Sequence, residues 1–231
     1  MEHKLPRTAR ETACEGAVLE FCRDTMVLPD GKEETWDYVR HKKGGGACAV
    51  PVLPDGRILL IRQFRPAIDR ETLELPAGAR DPEDPDPSVT AARELEEETG
   101  FRPGRMTKLA RILTAVAWCN EATDIYLAED LKRISGQHLD EAEEIELCAF
   151  TLEELCRRIY AGEIQDAKTV AGIMAYRSRL AQADEKDGTH VSASGSDSGD
   201  SASRNDSDRK YVLPETMADK LRRILRRART G

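Results

Sequence analysis

The residues from Asp86 to Gly100 (DPSVTAARELEEETG) constrain this chain more than any other stretch. Asp86 carries a side-chain acceptor suited to cap a helix N-terminus. Pro87 fits the first turn, where its missing N–H is not needed, and Gly100 tolerates the left-handed backbone that stops a helix. Between these ends Val89, Ala92 and Leu95 are expected on one side, with Glu94, Glu97 and Glu98 converging on the other, because residues three and four apart are helical neighbours. Like charges at that spacing cost an isolated helix about 0.2–0.5 kcal/mol per pair, and the sign reverses if a divalent cation sits among them. Taken alone, a Glu-rich helix is more often a solvated acidic face. The same three carboxylates are also hard oxygen ligands of the kind that take magnesium or manganese.

Around this helix the pattern is mixed α+β. Strand-like segments fall at 16–23, 35–41, 47–53, 58–64, 72–75, 108–114, 124–128 and 145–150, with a turn at Pro54-Asp-Gly56 and further helices at 152–161 and 167–181. One domain is expected over 1–182. From 183 to 210 the sequence turns to Ser, Asp and Gly with little to bury, which reads as a disordered linker. Residues 211–231 place Met217, Leu221, Ile224 and Leu225 on one helical face and four arginines around the other, a basic amphipathic helix that could dock on the domain, contact an acidic partner or membrane surface, or direct the chain to the nucleus.

The net charge of −8 over 231 residues argues against a general binder of nucleic-acid polymers. It also hides a local contrast: residues 78–101 hold eight acidic and two basic side chains, whereas 209–231 hold eight basic and two acidic ones. No secretory signal or membrane-spanning run is visible, so a cytoplasmic protein is expected, with the nucleus as a second location. Six scattered cysteines without a C-x-x-C pair suit reduced thiols better than disulfides or a zinc site.

The helix closes with Arg93-Glu94-Leu95-Glu96-Glu97-Glu98-Thr99-Gly100-Phe101, preceded by Gly78, and this resembles the Nudix box of the Nudix hydrolases. The resemblance implies a Nudix fold, a mixed β-sheet sandwiched between helices (α/β/α), here with an N-terminal β-rich extension. It implies that Glu94, Glu97 and Glu98 hold Mg2+, or alternatively Mn2+, against a substrate diphosphate, and that Arg93 positions one of these carboxylates. The spacing from Gly78 departs from the family pattern: the expected acidic residue lands on Asp84, and Arg93 comes one place later. Either the loop 81–87 carries an extra residue or the acidic role passes to Glu83 or Asp84.

Three flanking stretches, Thr35–His41, Arg62-Gln-Phe-Arg-Pro66 and Glu74-Leu-Pro-Ala-Gly78, resemble the ADP-ribose pyrophosphatase (ADP-sugar diphosphatase) branch of that family. The resemblance implies that Trp36 stacks on adenine, Arg65 and Arg62 bind the substrate, and the Ala77 carbonyl is a metal ligand. A second stacking Trp of some relatives falls at Val18, and the loop after the box departs from its usual form, so Trp118 becomes a substitute stacking surface or a core residue. The run Asp140–Glu146 resembles the loop that carries the catalytic base, with Glu143 the first candidate and Glu141 the second. Hydrolysis of ADP-ribose to AMP and ribose 5-phosphate by a homodimer with exchanged N-terminal strands is the implied activity. The alternatives are another nucleoside diphosphate sugar, of the UDP-glucose or GDP-mannose type, and a nucleotide-sensing module without turnover.

Overall fold

The computed structural model describes residues 4–139 and 144–188. Glu141, Glu143, the tract beyond 188 and the basic segment 211–231 lie outside the described residues.

The chain opens with an antiparallel sheet of β1 (Arg7–Glu15), β2 (Leu19–Val27) and β3 (Glu33–His41). β4 (Gly45–Pro51), β5 (Ile58–Arg65), β6 (Arg70–Glu74) and β7 (Ala77–Ala79) follow, then α1 (Pro87–Thr99). After it come β8 (Phe101–Arg102), β9 (Arg105–Leu113), β10 (Ala122–Glu129), β11 (Lys132–Arg133), β12 (Glu146–Phe150), α2 (Leu152–Tyr160) and α3 (Ala167–Gly188). The central sheet has the order β7-β4-β10-β9, with β4 and β10 parallel and the other pairs antiparallel. A second sheet has the order β12-β5-β6, and β8 pairs with β11.

Helices on both faces explain why the central strands show no apolar–polar alternation. On β4, Cys48 and Val50 pack with Ile125, Leu127 and Ile173 of α3, while Ala47 and Ala49 turn towards Ala91 and Leu95 of α1. Alanines on the α1 side bring that helix close to the strand, and bulkier side chains fill the space under α3. The expected α/β/α layering is thus present. Among the described residues no helix is long and apolar enough to cross a membrane. All six cysteines are free, and burial pushes the Cys48 thiol up to about 12, which leaves it an inert core side chain.

Three sequence expectations need correction. β1 has no counterpart among the expected strands, because its side chains are exposed on both faces and carry no hydrophobic period. Its ladder to β2 holds it, together with Arg7 and Arg10 on the buried Asp24 at 2.6 and 2.8 Å. Helix α3 runs on to Gly188 instead of ending at Ala181. The buried side of α1 consists of Thr90, Ala91, Leu95, Glu98 and Thr99, and Val89 faces solvent. The apolar stripe is therefore rotated from its expected position, and Glu98 lies on the buried side.

Two contacts set the frame of the site. The loop 114–121 fastens β3 to the body: Val39 N–H donates to the Trp118 carbonyl at 2.7 Å, and the Asn120 side chain accepts from His41 N–H at 2.7 Å. β4 and β7 approach closely at Gly46, where a Cβ would stand 2.0 Å from the Gly78 carbonyl oxygen. We expect Gly46→Ala to force the two strands apart and to cost about 1–3 kcal/mol of stability, read from denaturant midpoints at an unchanged m-value.

Candidate active site

Helix α1 begins and ends where its sequence signals stand. The Asp86 side chain accepts from Ser88 N–H at 2.8 Å, and Gly100 adopts φ 75°. These caps set which residues of the last two turns meet β7. Glu98, 4% exposed, accepts from Ala77 N–H at 3.0 Å. One turn earlier Glu94 lies against Gly78, where a Cβ would stand 2.1 Å from its carboxylate carbon. Two carboxylates therefore rest on a single dipeptide, Ala77-Gly78, and only glycine at 78 leaves room for the second.

Glu97 faces outward, and Arg93 ties it to Glu94, with Nη1 2.9 Å from Glu97 and 2.8 Å from Glu94. The other guanidinium nitrogen of Arg93 reaches Asp81 at 3.4 Å and Asp84 at 3.5 Å. Asp84 also accepts from the Thr90 hydroxyl at 2.7 Å, a bond that holds its carboxyl below the usual range. Of the two residues the sequence offered for the acidic role, the structure folds Asp84, and not Glu83, back towards Arg93, where Asp81 joins it. Proline at 82, 85 and 87 limits the conformations open to this loop.

By charge and donor type this region suits a hard divalent cation: Glu94, Glu97 and Glu98 are oxygen donors, and glycine at 78 leaves the space above β7 to the Glu94 carboxylate. Among the described residues no three acidic or other ligating groups are already gathered around one point. Arg93 and the Ala77 N–H take up the carboxylates instead. The flanks of the expected base-bearing loop are tied to the end of α1. His138 N–H donates to the Glu97 carbonyl at 2.8 Å, and the Gln137 amide donates to the carbonyls of Glu98 at 2.8 Å and Ile145 at 3.2 Å.

A cavity of about 260 Å3 borders β7, lined among others by His41, Arg65, Ala77, Gly78, Glu121, Asp166 and Lys168. The wall that carries Arg65 and Lys168 rests on Glu74, which is 2% exposed. Arg65 grips this carboxylate through Nε at 2.7 Å and Nη2 at 2.6 Å, Thr72 donates to it at 2.6 Å, and Lys168 closes the set. Burial pushes the Glu74 carboxyl up, but Arg65, Lys168 and Thr72 outweigh it and hold the group at about 2. Asp166 caps the start of α3, accepting from Thr169 N–H at 3.0 Å, and the Thr169 hydroxyl accepts from Leu75 N–H at 2.9 Å. The first turn of α3 is thereby bolted to the chain entering β7. Sequence reasoning assigned no role to Glu74, Asp166, Lys168 or Thr169. The available signal was Asp166-Ala-Lys-Thr169, a helix-capping pattern with a lysine inside it.

The remaining expected residues are distributed unevenly. Arg62 is one residue off the pleat from Gln63 and Arg65, so it points to the opposite face of β5 and pairs with Glu146 at 3.1 Å. It does not line the cavity. Trp36 is 48% exposed on β3, in a separate hollow of about 410 Å3 with Arg7, Arg10, Tyr38, Arg40 and Asn120. Trp118 is exposed rather than part of the core, and Val18 is exposed as well.

Residues 42–172 match the NUDIX domain family. The chain is 33% identical over 166 residues to the ADP-ribose pyrophosphatase of Bacillus subtilis, covering 71% of this chain and 88% of that protein. It is 33% identical over 177 residues to the ADP-ribose pyrophosphatase of Mycobacterium tuberculosis, covering 75% and 84%. A crystal structure of an ADP compounds hydrolase superposes with a TM-score of 0.69 at 20% identity, over 78% of this chain and 96% of that one, a likeness of fold.

Glu74 also makes stability depend on pH. Its carboxyl titrates near 2 in the folded chain against 4.5 for a free glutamate, so its contribution is complete above pH 4.5 and is lost as pH falls towards 2. That shift corresponds to roughly 3 kcal/mol. We expect Glu74→Gln to be less stable than the parent at neutral pH, with the gap narrowing in denaturant titrations carried from about pH 6 to about pH 3.

Proposed function

The chain belongs to the Nudix hydrolase family, and on that premise we propose that it hydrolyses the diphosphate linkage of ADP-ribose, or of a related ADP-sugar, to AMP and a sugar phosphate. One juxtaposition carries this reading: Glu94 and Glu98 rest on Ala77-Gly78 while Arg65 lines the cavity bordered by the same strand. Acidic donors for a counter-ion thus lie next to a guanidinium for phosphate oxygens, as a bound diphosphate requires. The names of the two bacterial relatives support ADP-ribose as the first substrate to test.

Members of the family generally use divalent ions. We assign Mg2+, with Mn2+ as the alternative, to Glu94, Glu97, Glu98 and the Ala77 carbonyl. Such an ion, when bound, polarises phosphate oxygens and acidifies a coordinated water. Arg93 keeps Glu94 and Glu97 in place, and release of either carboxylate breaks a bond of 2.8 or 2.9 Å. Arg65 binds the diphosphate through the N–H groups that Glu74 leaves unused. Arg62, on the other face of β5, takes no part. Glu143, or failing it Glu141, accepts the proton of the water that attacks phosphorus, and the anchoring of His138 and Gln137 on the end of α1 supports this assignment.

Trp36 stacks on the adenine in this reading, and a homodimer supplies it. Two observations support the dimer. Trp36 is absent from the lining of the cavity that contains Arg65. The pattern of β2 is also inverted, with Glu20 and Asp24 buried while Leu19 and Phe21 are exposed beside Val18. An apolar face of that kind is suited to burial against a second copy.

The test is a substrate panel with Mg2+: ADP-ribose, ADP-glucose, UDP-glucose, GDP-mannose and dinucleoside polyphosphates, with products separated by chromatography. We expect AMP and ribose 5-phosphate from ADP-ribose, and a loss on the order of a hundredfold in turnover for a folded Glu98→Gln. Cleavage of a non-adenine sugar nucleotide with ADP-ribose left intact would replace the substrate. No hydrolysis of any of them, with binding retained, would mark a sensing module.

A further inference from the structure

Lys168 has no part in the reaction as described so far, yet it is built into the wall that faces the substrate. Its side chain is 13% exposed, and its ammonium touches Glu74 and lies 3.0 Å from Asp166. Arg65, Asp166 and Lys168 all line the cavity beside β7. Two cations and two carboxylates therefore make this wall formally neutral. Without Lys168 the same wall would carry Arg65 against Glu74 and Asp166, a net charge of −1 facing a dianionic diphosphate. The neighbouring carboxylates hold the ammonium in its charged form although burial opposes it.

Hydrogen bonding points the same way. A guanidinium has five N–H groups, and Glu74 engages Nε and Nη2 of Arg65. The remaining donors are directed by that grip. Lys168 holds Glu74 from the other side, through the oxygen that also receives Nη2. Its own place is set by the first turn of α3, which the Thr169 bond to Leu75 N–H fixes against the end of β6.

We propose that Lys168 is a positioning residue for the substrate diphosphate: through Glu74 it keeps the free donors of Arg65 turned to the cavity, and it keeps the wall from becoming anionic. The proposal rests on the reading of the substrate as a nucleoside diphosphate, and inorganic pyrophosphate tests the two separately.

The experiment titrates pyrophosphate calorimetrically, with divalent ions chelated, into the wild type, Lys168→Met, Lys168→Arg and Asp166→Asn, and measures KM and kcat for ADP-ribose with Mg2+ restored. For Lys168→Met we expect pyrophosphate affinity to fall and KM to rise by about tenfold each, with kcat within about twofold. Lys168→Arg, which keeps the charge, should recover to within about threefold of wild type, and Asp166→Asn, which removes a negative charge but retains a helix cap, should bind pyrophosphate about threefold more tightly. Unchanged affinity and KM in Lys168→Met, a loss confined to kcat, or no rescue by arginine would overturn the proposal. So would a wild type that does not bind pyrophosphate. If Lys168→Met does not fold, Asp166→Asn decides: tighter binding supports the proposal, and unchanged or weaker binding refutes it. A wild type that leaves ADP-ribose intact would remove the substrate assignment, while pyrophosphate affinity would still report on Lys168.

Discussion

The seating of two α1 carboxylates on the backbone of Ala77-Gly78 is the contact on which the rest of the site depends. Burying a carboxylate is costly unless its lone pairs are met, and Glu98 meets that condition with the Ala77 N–H. Glu94 can lie beside it because residue 78 has no side chain, and β7 can reach β4 because residue 46 has none. The small residues of β4 then bring α1 down onto the sheet at Ala91 and Leu95. Helix placement, strand spacing and carboxylate geometry are thus one constraint, in which a methyl group at either glycine would displace all three.

The cavity beside β7 follows a different rule. There the buried carboxylate belongs to the sheet, at Glu74, and the cations arrive from β5 and α3. Glu74, at the end of β6, is held by the side chains of Arg65, Thr72 and Lys168, and the next residue, Leu75, donates its N–H to the Thr169 hydroxyl. Four residues after Glu74, the same chain supplies Gly78. The α1 contact and the cation cluster around Glu74 therefore share one short stretch, residues 74–78, and a disturbance of either is transmitted to the other along it. Carboxylates are thus clustered on α1 against Ala77-Gly78, and the same dipeptide lines the cavity with Arg65, Asp166 and Lys168.

The parts of the fold legible in the sequence were those with local causes. Asp86, Pro87 and Gly100 marked the ends of α1 through capping, which acts within a few residues. Strands β4, β5 and β10 showed as apolar runs because much of their length is buried, and β12 because Cys148 and Phe150 pack against the core. β1 could not be seen this way, since its stability comes from a backbone ladder and from salt bridges to a residue on β2. The rotation of the α1 stripe escaped for a related reason: Glu98 counts as polar in any periodicity, yet a backbone donor from β7 makes its burial acceptable.

Sequence by itself determined the capped acidic helix, the family resemblance and the mixed α+β pattern, because each rests on residue type and spacing along a few turns of chain. Only the tertiary structure decided that Asp84 rather than Glu83 meets Arg93, that Arg65 is gripped by Glu74, that Arg62 points away, and that Lys168 joins the wall from 94 residues further along. Each of those outcomes depends on which face of a strand a side chain occupies and on which helix is packed across it. Such relations are set by the burial of charge between distant segments, and residue spacing along the chain carries no record of them.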